Sequence, residues 1–135
     1  MKKLWWIPML LVLGLVASSG CTRLSEMQHG IRIEGIRLTA GGYMLDFRYK
    51  VVDVERATAL LTEGKRPQLT DEATGATFAV PDMPKVGALK TSARGHTLRE
   101  GVTGFVLFAN PSQVVKPGAR VTVAIGDFKA KHLVV

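Results

Sequence analysis

The chain contains a single cysteine, Cys21, so no disulfide can form within it and its stability must come from packing. Its three histidines, His29, His96 and His132, have no second histidine or carboxylate at a metal-ligand spacing, which leaves no metal site to expect. A copper site in a secreted β-domain would need cysteine beside histidine, and Cys21 stands outside the folded part of the sequence. There is no G-x-S-x-G elbow and no glycine-rich loop placed between a strand and a helix, so neither a nucleophile elbow nor a phosphate cradle is encoded. Ser92 and His96, with Asp82 or Glu100 nearby, are the nearest approach to a nucleophile and base, and loop spacing alone does not build a triad. The carboxylates Asp46, Asp71, Glu72 and Asp82 read as residues of wet strand faces and turns, not as a paired acid and base. No internal repeat occurs. These absences argue against an enzyme and against a bound cofactor.

What the sequence does have comes first in the chain. Lys2 and Lys3 precede an uncharged run from Leu4 to Val16, and small residues, Ala17 to Gly20, lead to Cys21. Thirteen helical residues rise about 20 Å, short of a hydrocarbon core of roughly 30 Å, and Pro8 interrupts them. The run therefore fits the apolar core of a secretory signal over residues 1–20.

That order resembles the lipobox of bacterial lipoproteins, with Ser18 where the family favours leucine. The resemblance covers the first 21 residues. It implies cleavage before Cys21, a diacylglyceryl group on the cysteine sulfur and a further acyl chain, such as palmitate, on the new N-terminus. Two or more chains anchor a protein stably, where one binds reversibly. Thr22 follows the cysteine where aspartate would favour inner-membrane retention, which implies the periplasmic face of an outer membrane. The alternative is an ordinary signal cut near residues 17–20, leaving a free thiol.

Without residues 1–20 the chain is one domain of 115 residues, and its formal charge falls from +7 to +5 as Lys2 and Lys3 leave. An exported domain is a poor partner for nucleic acid, and a modest positive excess suits anionic envelope surfaces. Residues 21–30 carry no sustained period and read as the lipidated cysteine and a short tether.

Residues 31–135 read as strands. Ile31 to Leu38 alternates but slips phase at Glu34–Gly35, as at a β-bulge. Tyr43 to Val52 puts Tyr43, Leu45, Phe47, Tyr49 and Val51 on one face, and Met44, Asp46, Arg48 and Lys50 on the other. Asp53 suits the N-cap of a short helix over Val54 to Leu61, ended by Glu63 to Pro67. Short strands follow at Gln68 to Asp71 and Ala76 to Val80. Pro81 to Glu100 is irregular, with a short edge strand at Val86 to Thr91. Gly101 to Ala109 is nearly all apolar, which predicts a central strand covered on both faces. Arg120 to Ile125 and Phe128 to Val135 close the chain around Gly126–Asp127, with Lys129 and Lys131 guarding an edge.

About seven short strands and one short helix predict an all-β fold, a two-layer antiparallel β-sandwich of immunoglobulin-like architecture. The tryptophan core of antibody domains is missing, because Trp5 and Trp6 both lie in the signal. The pattern is similar in style to small envelope lipoproteins with such a domain and no assigned role. The expected function is a lipid-anchored, non-enzymatic interaction module with an envelope protein as partner. The alternative is a binding protein for an anionic phospholipid, lipopolysaccharide or wall polymer. It would use the cations of the irregular loop, Lys85, Lys90, Arg94, His96 and Arg99.

Overall fold

The computed structural model describes residues 19–61, 65–83, 87–88 and 98–135, with backbone alone at 19–22, 83 and 87–88. The apolar signal run, the Glu63–Gly64 turn and most of the proposed edge strand at Val86 to Thr91 lie outside the described residues.

Two antiparallel sheets face each other. The first, sheet A, contains β1 (Ile31–Thr39), β2 (Met44–Val51) and β7 (Thr103–Ala109) in the order β1-β2-β7. The second, sheet B, contains β3 (Gln68–Asp71), β4 (Thr77–Ala79), β8 (Arg120–Ile125) and β9 (Phe128–Val134) in the order β4-β3-β8-β9. A third, two-stranded pairing joins β5 (Asp82–Met83) to β6 (Gly87–Ala88), between β4 and β7 in the chain. In immunoglobulin lettering the sheets are A-B-E and C′-C-F-G, so the connections follow the expected sandwich.

The inner faces come from the alternation. Leu45, Phe47, Tyr49 and Val51 of β2 are fully buried, and meet Val106 and Phe108 of β7 and Leu69, Val121, Val123, Ile125 and Phe128 of sheet B. One helix, α2 (Val54–Leu61), carries the chain from sheet A to sheet B and buries Ala57, Leu60 and Leu61. Asp53 caps it as its sequence position implies: its Oδ1 accepts from the Arg56 N–H at 3.1 Å. Asn110 is wholly buried, and its side chain bonds the Gly42 and Val115 carbonyls at 2.8 and 3.0 Å and the Val115 N–H at 2.9 Å. It stands in for backbone partners where three loop segments converge.

Three expectations need correction. Residues 22–30 are not an irregular tether: Ser19–His29 forms a helix, α1, that lies against β1, β9 and α2. Gly30 ends it in a left-handed conformation (φ 70°), and a Cβ there would sit 2.5 Å from the Asp53 carbonyl oxygen. Arg56 donates to the Met27 carbonyl at 2.9 Å, the Glu26 carboxylate accepts from the Ile33 N–H, and the His29 ring meets Phe128 edge-on at 5.5 Å. These tertiary contacts select a helix that local periodicity does not announce.

The second correction concerns Thr103–Ala109, which among the described residues stands last in the strand order of sheet A, where a central strand was expected. Its outward residues Phe105 and Leu107 lie beside Arg48 and Asp46 of β2, so half its apolar run covers polar neighbours instead of a second layer. The third concerns Asp46 and Asp71. Both are buried, at 4% exposure, where wet positions were expected.

Candidate functional site

Of the proposed site residues, Cys21 lies in the first turn of α1. Lys85, Lys90, Arg94 and His96 lie outside the described residues. Arg99 is described and exposed, next to buried Leu98, and its carbonyl accepts from the Val102 N–H at 3.2 Å in a turn entering β7.

A different constellation emerges on the outer face of sheet A. The strand registers align it in rows: Arg32, Lys50 and Thr103; Gly35, Arg48 and Phe105; Arg37, Asp46 and Leu107. The β1–β2 register shifts between Ile33 and Gly35, so Glu34 is the extra residue of a bulge. Gly35 adopts φ 149°, open to glycine and strained for other residues, and nothing lies within 4 Å of where its Cβ would stand. The outer face is therefore notched at that row. The notch opens into a concavity of about 320 Å³ lined by Glu34, Gly35, Ile36, Arg37, Asp46 and Arg48.

Asp46 is the keystone of this concavity. Its Oδ2 accepts from Arg48 Nε at 2.9 Å and from Arg37 Nη2 at 3.3 Å. Its side chain is 6% exposed, whereas those of Arg37 and Arg48 are 67% and 46% exposed. The two guanidinium groups touch one oxygen and so are held within about 6 Å of each other, like charges kept together by the carboxylate between them. The second oxygen, Oδ1, is shut from solvent without a hydrogen-bond partner. Glu34 reaches over the face to Thr103, whose hydroxyl donates to it at 3.3 Å. Four cations (Arg32, Arg37, Arg48, Lys50) thus share the face with two carboxylates (Glu34, Asp46).

Sequence reasoning placed Asp46 and Arg48 on one face and put the bulge at Glu34–Gly35, but it did not join them. The joining signal is register: a glycine bulge opposite an Asp-x-Arg alternation puts a missing side chain beside two cations.

A second hollow, about 520 Å³, runs between α1 and the rim of β1, lined by residues including Arg23, Met27, Arg32 and Val52. Leu24 and Met27 of α1 are 61% and 65% exposed.

On sheet B, Glu72 follows β3 and joins a second bulge. Val121 pairs with Leu133 and Val123 with Ala130, so Lys131 and His132 together oppose Thr122. Glu72 Oε1 accepts from the His132 N–H at 2.7 Å and the Thr122 hydroxyl at 2.9 Å, and Oε2 lies 2.9 Å from His132 Nδ1. The backbone hydrogen bond from His132 leads in lowering the Glu72 pKa, against a smaller opposing effect of desolvation; side-chain bonds from His132 and Thr122 add to the lowering.

Among the described residues no His, Cys, Asp and Glu side chains gather in a group that could hold a metal ion. Nor is any described helix long and apolar enough to cross a membrane. Comparison with known proteins finds no matching family model, no similar curated protein and no similar solved structure.

Proposed function

We propose that this protein is a non-enzymatic interaction module of the bacterial cell envelope, anchored by lipid on Cys21 and docking an envelope protein through sheet A. The observation that carries the docking is the exposed apolar side of β7, where Val102 and Phe105 are 44% and 37% exposed. Exposed apolar side chains rimmed by charged neighbours, here Arg48 and Lys50 of β2, mark a surface that a protein partner can cover.

The anchor follows from the order of charge, apolar run, small residues and cysteine. The packing of α1 bears on what such an anchor does. With α1 fixed to β1, β9 and α2, lipid on Cys21 joins a helix that belongs to the folded body. The sandwich is then held at the bilayer surface, with exposed Leu24 and Met27 near the headgroups, on the periplasmic side of the outer membrane.

The test is crosslinking in cells from a photoreactive residue at position 105, compared with one at exposed Arg120 on sheet B. One dominant protein adduct from position 105 alone supports the reading. Equal, diffuse adducts from both positions contradict it. Cys21→Ser should move the protein from the membrane to the soluble envelope fraction; retention on the membrane contradicts the anchor.

A further inference from the structure

We infer that the notch at Gly35 is a binding site for a phosphate group carried on a hydroxylated headgroup, with Arg37 and Arg48 as its cations and Asp46 as their positioning residue. The inference does not rest on the lipid on Cys21; the site is built within β1 and β2, with Phe105 of β7 next in the row of Gly35 and Arg48.

Three observations converge on it. First, Arg48 uses Nε and Arg37 uses Nη2 on the same Asp46 oxygen, so each guanidinium keeps further N–H donors for another acceptor. Two forks held this close, one exposed by 46% and the other by 67%, are pre-set to grip a tetrahedral anion from two sides. Second, the glycine bulge leaves room for the anion. A side chain on Gly35 would stand in the row of Arg48, and that space is open. Third, Asp46 is under-satisfied. A carboxylate at 6% side-chain exposure with one partnerless oxygen is a costly thing to keep on a strand face. When an anion draws Arg37 outward from its long 3.3 Å bond, a hydroxyl beside the phosphate can donate to the freed carboxylate. The charge balance of the face agrees: Arg37 and Arg48 meet two carboxylates in the concavity, Asp46 and Glu34, and Arg32 and Lys50 one row away leave the potential positive.

The ligand class is therefore a phosphate monoester or diester next to a hydroxyl, found in free polyol phosphates and in glycerol-based lipid headgroups alike. The bond that holds it is bidentate recognition by arginine, with no group transferred.

The test uses the full chain extracted in a non-ionic detergent and labelled with nitrogen-15. Glycerol 3-phosphate is titrated, with inorganic phosphate and glycerol as separate arms, and the Gly35 amide and the Arg37 and Arg48 Nε–H signals are followed. The expected result is saturable shifts confined to these groups. Glycerol 3-phosphate should bind several-fold more tightly than inorganic phosphate, and glycerol should cause no shift. Arg48→Gln and Arg37→Gln should each weaken binding by tenfold or more, while Arg120→Gln on sheet B leaves it unchanged. Using two separate arginine variants guards against one that fails to fold, which lost core signals would reveal. Shifts spread over surface cations generally, or equal weakening by Arg120→Gln, would overturn the site. Equal affinity for inorganic phosphate would overturn the role of the hydroxyl and of Asp46. Nanodiscs of phosphatidylglycerol against phosphatidylcholine then separate the sources: shifts with the first alone assign a lipid headgroup, and none with either assigns a soluble phosphate ester.

Discussion

The two sheets each carry one bulge, and the bulges do opposite things. On β1 the extra residue is followed by Gly35, whose bare backbone leaves a notch beside two arginines. On β9 the bulge falls at Lys131–His132, and His132 takes φ 59° with a full side chain. There Glu72 reaches over from the end of β3 and satisfies the His132 N–H, the His132 ring and the Thr122 hydroxyl. One bulge opens a concavity with an unpartnered carboxylate oxygen beneath it; the other is closed by a carboxylate whose two oxygens both have partners. The same one-residue insertion yields a recognition site or a sealed edge, depending on whether the neighbouring side chain is absent or pinned. The sealed bulge lies on β9, which stands last in the order of sheet B among the described residues and carries the exposed Lys129 and Lys131.

The largest effect should come from Gly35→Val. A β-branched residue at φ 149° strains the backbone and should cost about 3 kcal/mol in denaturant unfolding. Because open space surrounds that Cβ position, a loss well under 1 kcal/mol would show that the bulge relaxes freely and that glycine is not required by conformation. Asp46→Leu should move stability the other way. Removing a buried, half-satisfied carboxylate next to Leu107 should leave the unfolding midpoint unchanged or raise stability by about 1 kcal/mol. A drop of about 2 kcal/mol would make Asp46 a structural residue instead of one retained for recognition.

Glu72→Ala removes three hydrogen bonds at a partly exposed site and should cost about 1 kcal/mol, with faster amide exchange at His132 as its local signature. The smallest effect is its pH dependence. The folded state lowers the Glu72 pKa below its ordinary 4.5, so the carboxylate contributes stability above that value and loses it as pH falls through the lower, folded value. Wild type should therefore lose slightly more stability than Glu72→Gln on acidification through that window. The difference should stay under about 1 kcal/mol, because His132 is more than half exposed and water screens the pair. Parallel pH profiles would remove Glu72 as the closure of the β9 bulge.

Much of the sandwich was readable because its signals are local. The period of two over Tyr43 to Val51 put the core on one face of β2, and Asp53 announced α2 three residues before its hydrogen bond to Arg56. The slip at Glu34–Gly35 was visible as a break in alternation. What escaped depends on distant partners. Helix α1 has no apolar stripe of its own and is selected by β1, β9 and α2, although Gly30 after His29 is a helix-end signal that was there to be read. The apolar run of β7 looked central because a sequence does not show that Phe105 and Leu107 lie over Arg48 and Asp46 instead of under a second layer. Asp46 looked wet for the same reason: one of its partners, Arg37, stands nine residues upstream on the neighbouring strand. Of the five basic-loop residues, the described structure contains Arg99 alone, and the cations it does bring together, Arg37 and Arg48, sit on strands.

The central claim, a folded body fixed to the membrane at Cys21, is tested most directly by the intact mass of the protein extracted from membranes. The account predicts a chain that begins at Cys21 and carries a diacylglyceryl group with a further acyl chain on its N-terminus. A chain that begins elsewhere, or a Cys21 that still titrates as a free thiol, would contradict it.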